Sequence, residues 1–167
     1  MNFFKNRKLK NTKNKDITKF SLKGLEINSK LVNIYDADTC RLIFFLNGKI
    51  QKFICRLEGI DAPEMKPPKA QENRNEEIKA AIRARNRLIQ LATNIIIDLD
   101  NTIKGEELQR KVDENRKILK IKCGDFDKYG RLLVTIYDNK ININELLVYE
   151  KYANKYDGGT KEKFTFN

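Results

Sequence analysis

Three short clusters carry side chains able to do chemistry: Asp36-Ala37-Asp38-Thr39, Asp61-Ala62-Pro63-Glu64 and Asp127-Lys128-Tyr129-Gly130-Arg131, with Arg56 just ahead of the second. The chain contains no histidine, which removes the commonest general base and the commonest transition-metal ligand. Its chemistry must therefore run on carboxylates, guanidinium, ammonium or phenol groups, or on a hard cation. Taken singly, each cluster reads as a turn. Aspartates bond nearby backbone N–H groups, Asp-x-Pro-Glu is an ordinary entry to a turn or helix, and Lys-Tyr-Gly-Arg is an ordinary hairpin loop. They acquire a joint meaning only if the fold brings them to one place.

The elements that would do so can be read from apolar patterning. Residues 31–35, 39–46 and 49–57 are short runs rich in β-branched and aromatic side chains, bounded by turn formers, and predict three strands. Asn47-Gly48 between the last two is the signature of a two-residue hairpin turn. That turn pairs Leu46 with Lys49, Leu42 with Phe53, Cys40 with Cys55 and Thr39 with Arg56. Alternation then turns Cys40, Leu42, Phe53, Cys55 and Leu57 to the core and Arg56 to the other face. From Ala70 to about Ile97 apolar residues recur at helical spacing and predict one long amphipathic helix. Residues 103–116 read as a weaker helix anchored by Leu108 and Val112, or as a charged loop. Residues 117–123 and 131–137 predict strands, Asp138-Asn139 a turn, and 143–152 a helix. Three strands, helix, strand, strand, helix is the order of an α+β fold: a five-stranded OB-type β-barrel with packed helices.

In that barrel the start of the second strand lies beside the end of the third, so Asp36, Asp38, Arg56, Asp61 and Glu64 converge. Four carboxylates with only Arg56 among them repel one another unless a cation lies between them. Oxygen donors without His or Cys select Ca²⁺ or Mg²⁺, and a flexible loop suits Ca²⁺ somewhat better.

The order D-x-D-T, N-G hairpin, R-x-x-x-x-D-x-P-E, helix, strand, D-K-Y-G-R, strand, helix resembles the staphylococcal nuclease (thermonuclease) family over roughly residues 30–156. The resemblance implies a calcium-dependent phosphodiesterase that cuts DNA and RNA with little sequence preference and leaves 3′-phosphates. It implies that Asp38, Asp61 and the main-chain carbonyl of Ala62 are metal ligands, with Asp36 behind them. It implies that Glu64 orients or deprotonates the attacking water, that Arg56 and Arg131 hold the scissile phosphate, and that Lys128 and Tyr129 contact a neighbouring phosphate. Relatives usually carry threonine where Ala62 stands, but a carbonyl ligand tolerates the change. Tyr156, near the end of the matched stretch, reads either as a base-stacking ring or as a surface tyrosine closing the last helix.

Charge and composition frame the rest. The formal net charge is +11, and residues 1–23 hold eight Lys or Arg against the single Asp16, so that segment supplies +7. Residues 1–24, rich in Asn and Lys, are expected to be disordered when alone and either to grip phosphate backbones or merely to aid solubility. The domain is expected over residues 25–160, with 98–116 as an insertion that covers barrel surface or crosses the cleft, and 161–167 as a tail. Three cysteines without metal spacing argue against a disulfide framework and for a reducing compartment. With no signal-like run and no apolar stretch of membrane length, an intracellular protein is expected, taken as a monomer with nucleic acid as its partner. Two other readings remain open: a catalytically inactive barrel that binds nucleic acid or protein, and an interaction or packaging protein working through its basic tail.

Overall fold

In the computed structural model, which describes residues 2–165, the Asn47-Gly48 turn has both residues at positive φ, 52° and 77°. This is the geometry that matches the right-handed twist of the flanking strands. It joins β2 (Thr39–Leu46) to β3 (Lys49–Leu57) in the expected register: Leu46 opposite Lys49, Leu42 opposite Phe53, Cys40 opposite Cys55 and Thr39 opposite Arg56. All three cysteines are free and buried. β1 (Glu26–Ile34) begins earlier than the apolar run suggested, because its first half pairs with β5 (Leu119–Phe126) and needs no continuous apolar face. β6 (Leu132–Asp138) pairs with β5 and, in parallel, with β3, where Arg56 lies opposite Leu133. That last pairing closes β1, β2, β3, β6 and β5 into a five-stranded OB-type barrel. Leu31, Leu42, Leu57, Ile121, Leu132 and Ile136 fill its interior.

Helices close the barrel. α2 (Arg74–Ala92) contributes Leu88 and Ile89 to the core, and α4 (Ile143–Tyr149) contributes Ile143 and Leu147. The helix predicted over residues 70–97 is shorter than its apolar spacing suggested. Thr93 is extended, its hydroxyl donates to the Ile89 carbonyl at 2.5 Å, and it accepts the Ile95 N–H at 3.1 Å. A side chain that offers the backbone another partner, followed by three β-branched isoleucines, favours leaving the helix. Ile96 is consequently fully exposed, while Ile97 returns to the core. α3 (Gly105–Glu114) carries the inserted segment and buries Leu108 and Val112. It lies on β1, where Lys30 donates to the Asp113 carbonyl at 2.8 Å and Gln109 to the Val32 carbonyl at 2.6 Å. Residues 105–114 therefore cover barrel wall.

Two short pairings were not legible in the sequence. β4 (Ile60–Asp61) pairs with β8 (Asn154–Lys155), setting Asp61 opposite Asn154, and β7 (Ile141–Asn142) extends β6. α4 stops at Tyr149 rather than residue 152; Lys151 adopts φ 64°, and the N–H groups of Tyr152 and Ala153 return to the Leu147 carbonyl. At the other end, α1 (Asn2–Asn11) is helical with every residue exposed, so it adds no side chain to the core. Residues 21–24, grouped by composition with the tail, are tied to the barrel. Leu22 is in the core, Lys23 pairs with Asp125 at 3.0 Å, and the Gly24 N–H donates to the Cys123 carbonyl at 2.7 Å. Among the described residues no helix is long and apolar enough to cross a membrane.

Candidate active site

The turn between β1 and β2 places the first pair of acids. Asp36 Oδ1 accepts the N–H groups of Asp38 and Thr39 at 3.1 and 2.6 Å, so this carboxylate shapes its own loop. Burial, with Asp38 beside it, pushes the Asp36 carboxyl up to about 7. Asp38 carries the contacts outward from this loop. Its Oδ1 accepts the Thr39 hydroxyl at 2.8 Å, and its Oδ2 accepts Arg56 NH1 at 2.6 Å and the Ala62 N–H at 3.3 Å.

Arg56 is the hub. Its side chain is only 12% exposed, and NH2 donates to Asp61 Oδ1 at 3.1 Å and to the Ile60 carbonyl at 3.3 Å. Burial works against its charge, but Asp38 and Asp61 outweigh burial and raise its affinity for the proton. β3 aims Arg56 outward and the β4–β8 pairing holds Asp61 against it. Arg131 enters from the loop before β6. Its Nε donates to Asp127 Oδ2 at 2.7 Å and its NH1 to the Thr39 hydroxyl at 3.3 Å. A continuous chain of hydrogen bonds thus runs from Arg131 through Thr39 and Asp38 to Arg56 and Asp61. Asp127 also accepts the N–H groups of Tyr129 and Arg131, both at 2.9 Å. Burial raises its pKa, but these bonds outweigh burial and hold it below the usual carboxylate range.

Arg56, Glu64 and Arg131 line one open cavity of about 520 Å³, together with Lys128, Tyr129 and Tyr156. Tyr129 is largely exposed at the mouth, its ring 5.4 Å from the Arg131 guanidinium carbon. The Tyr156 N–H bonds the Gly59 carbonyl at 2.9 Å, and its ring lies 5.8 Å from the guanidinium carbon of Arg56. Tyr156 follows β8 rather than ending a helix.

One expectation needs correcting. Arg56 is not the only cation among the acids: Lys161, assigned from sequence to a terminal tail, places Nζ 2.9 Å from Asp61 Oδ1 and 3.1 Å from Glu64 Oε1. Burial lowers the proton affinity of this ammonium, but the two carboxylates reverse that and raise it. The four acids are also less tightly gathered than the register alone suggested. Asp36 is consumed by its turn, Glu64 is half exposed, and among the described residues no three Asp, Glu or Cys side chains form a metal-ligand set. Glu64 and Lys161 separate the main cavity from a second one of about 450 Å³ that Asp61, Ala62 and Glu77 also line.

Three further residues position the site. Thr39, Asp127 and Glu77 act respectively as the bridge between the arginines, the clamp on Arg131 and the acceptor of the Glu64 N–H at 2.9 Å. Thr39 and Asp127 sit inside motifs the sequence displayed. Glu77 looks like a solvated helix glutamate, and Lys161 has no spacing signal.

A model of the family described as staphylococcal nuclease homologue matches residues 54–165. The matched span holds Arg56, Asp61, Ala62, Glu64, Lys128, Tyr129, Arg131 and Tyr156, whereas Asp36 and Asp38 precede it. A search of curated proteins finds no match to the chain. The barrel and the matched span, which takes in more than half of the sequence, agree: this chain belongs to the staphylococcal nuclease family.

Proposed function

We propose that the chain is a calcium-dependent nuclease, hydrolysing phosphodiester bonds in DNA and RNA with little sequence preference and leaving 3′-phosphates. The observation that carries this reading is the placement of two guanidinium groups, Arg56 and Arg131, on one open cavity with the Glu64 carboxylate. As water attacks a phosphodiester, negative charge builds on the equatorial oxygens. Planar forks on either side stabilise that charge more than the ground state. Thr39 and Asp38 tie the two forks together, and Asp127 holds the second, so neither has to be ordered at the moment of reaction. Glu64 faces the same cavity and takes or orients the proton of the attacking water. Lys128 and Tyr129 at the mouth hold a neighbouring phosphate and Tyr156 lies along the strand's path. Contacts to phosphate carry no base information, hence the low sequence preference.

The donors suit a hard ion, since every one is oxygen. Asp61 and Glu64 already bracket a cation, the Lys161 ammonium. Asp38, Asp61 and the Ala62 carbonyl would hold Ca²⁺, with Mg²⁺ as the other candidate, and Asp36 would support the loop. Such an ion, when bound, neutralises phosphate charge and acidifies nearby water.

A second reading, a module that binds nucleic acid without cutting it, is favoured by one observation: both terminal nitrogens of Arg56 are already bonded to Asp38, Asp61 and the Ile60 carbonyl. Digestion of plasmid DNA and of RNA with Ca²⁺, Mg²⁺ or EDTA, beside Glu64→Ala and Arg56→Ala, separates the two. Ca²⁺-dependent cutting lost in both variants is the expected result. Plasmid binding without cutting under any ion selects the module, and undiminished cutting by both variants removes this site from the reaction.

A further inference from the structure

Away from the acid rim, α2, the β1 end and the inserted segment enclose a cavity of about 530 Å³. Its walls are apolar: Ile34, Met65, Ile78, Ile82 and Leu108. Three cations line it, Lys66, Lys104 and Arg85, and no Asp or Glu does.

Arg85 is the unusual member. The residue is 2% exposed, yet no ion pair reaches it among the described residues. Its Nε and NH2 donate to Asn86 Oδ1 at 3.1 and 2.9 Å, NH2 also approaches the Asn101 carbonyl at 3.4 Å, and NH1 has no hydrogen bond among the described residues. Burial lowers its proton affinity and no carboxylate offsets that. A buried cation without an anion is costly, and proteins ordinarily supply a partner. No carboxylate partner stands among the described residues, and the side chain lies on a cavity of the size that takes a small ligand.

We propose that this cavity binds a small amphiphilic anion, an apolar or aromatic body carrying one carboxylate or phosphate group. The body lies against the isoleucines and Leu108, and the head group pairs with Arg85, with Lys66 and Lys104 at its sides. The 98–116 segment supplies Thr102, Lys104, Gly105 and Leu108 to this site. It is independent of the nuclease reading.

Calorimetric titration of the full chain with 1-naphthoate, 1-naphthyl phosphate and the neutral 1-naphthylmethanol tests it. At least one anion should bind about tenfold or more tighter than the alcohol, the increment of one charge-assisted hydrogen bond; which anion does so identifies the head group. Arg85→Met should remove that preference while leaving weak binding of all three. Ile82→Trp, which fills the cavity from the same face of α2 one turn before Arg85, should abolish binding of all three. The proposal is overturned if neither anion binds better than the alcohol, or if Ile82→Trp binds the anions as well as the parent chain does. A preference that survives in Arg85→Met overturns it too, leaving Arg85 only a pin for the loop at Asn101.

Discussion

Arg56 and Arg85 are both withdrawn from solvent, and the chain treats them in opposite ways. Arg56 lies between two buried carboxylates, Asp38 and Asp61, within a network that continues to Arg131. Arg85 lies against an amide oxygen and a carbonyl, with no acid paired to it among the described residues. A guanidinium between two acids is locally over-compensated and leaves the rim ready for a further cation. A guanidinium with neutral partners leaves positive charge uncompensated and the pocket ready for an anion. Burial alone therefore does not announce a role; the sign of the residual charge does.

The strongest way to break this comparison is at the rim. Arg56→Ala strands Asp38 and Asp61, and urea denaturation in chelator should show about 3–5 kcal/mol of lost stability. Added Ca²⁺ should recover part of it, and cleavage measured with Ca²⁺ should fall on the order of 10²-fold or more. A variant as stable as the parent would mean the two acids are not held by Arg56. Next comes the other region. Asn86 is fully buried, its Nδ2 donates to the carbonyls of Asp98, Leu99 and Asn101, and its Oδ1 takes the Arg85 guanidinium. Asn86→Ala should cost about 2 kcal/mol by the same denaturation. Protection of the 98–101 amides from hydrogen exchange should fall with it.

A third arginine sharpens the contrast through pH. Asp127 has a folded-state pKa held below its ordinary value of 3.8 by Arg131 and by backbone N–H groups. Its contribution to stability is thus fully present above the ordinary carboxylate range and is lost as pH falls through the lowered folded value. Asp127→Asn, which keeps an acceptor oxygen but no charge, should be less stable than the parent by on the order of 1 kcal/mol at pH 7. The gap should narrow as thermal melts are taken below pH 4; a constant gap down to pH 2 would contradict the pairing. The smallest effect is at Lys161. Its side chain is about half exposed, and such pairs are worth up to about 1 kcal/mol. Lys161→Ala should accordingly tighten Ca²⁺ binding, measured by titration calorimetry, by no more than about fivefold. Weaker binding would make Lys161 a supporter of the ion rather than its competitor.

The hairpin and the rim acids were legible for a local reason. Asn47-Gly48 dictates a two-residue turn, the turn dictates the register, and register carries Arg56 to Thr39 and the Asp36–Asp38 loop. The three motif clusters likewise lie next to strands whose alternation is readable. Elsewhere the deciding partner is distant. The end of α2 depends on one hydroxyl bonding back to Ile89 against a run of isoleucines that looks helical, and α4 ends where Lys151 turns left-handed. Lys161 reaches Asp61 across a hundred residues from a stretch with no periodicity, and the β4–β8 pairing is two residues long on each side.

From its order of residues alone the chain determined the barrel class and the β2–β3 register, which rest on short-range turn chemistry and on side-chain alternation along one strand, and the family, which rests on the order of its motifs. Tertiary structure alone decided which charges meet. Only packing sets Asp61 on Arg56, inserts Lys161 between Asp61 and Glu64, and leaves Arg85 in an apolar pocket with no acid paired to it among the described residues. Coulombic pairing depends on distance in space and on exclusion of water, and neither is written in sequence spacing.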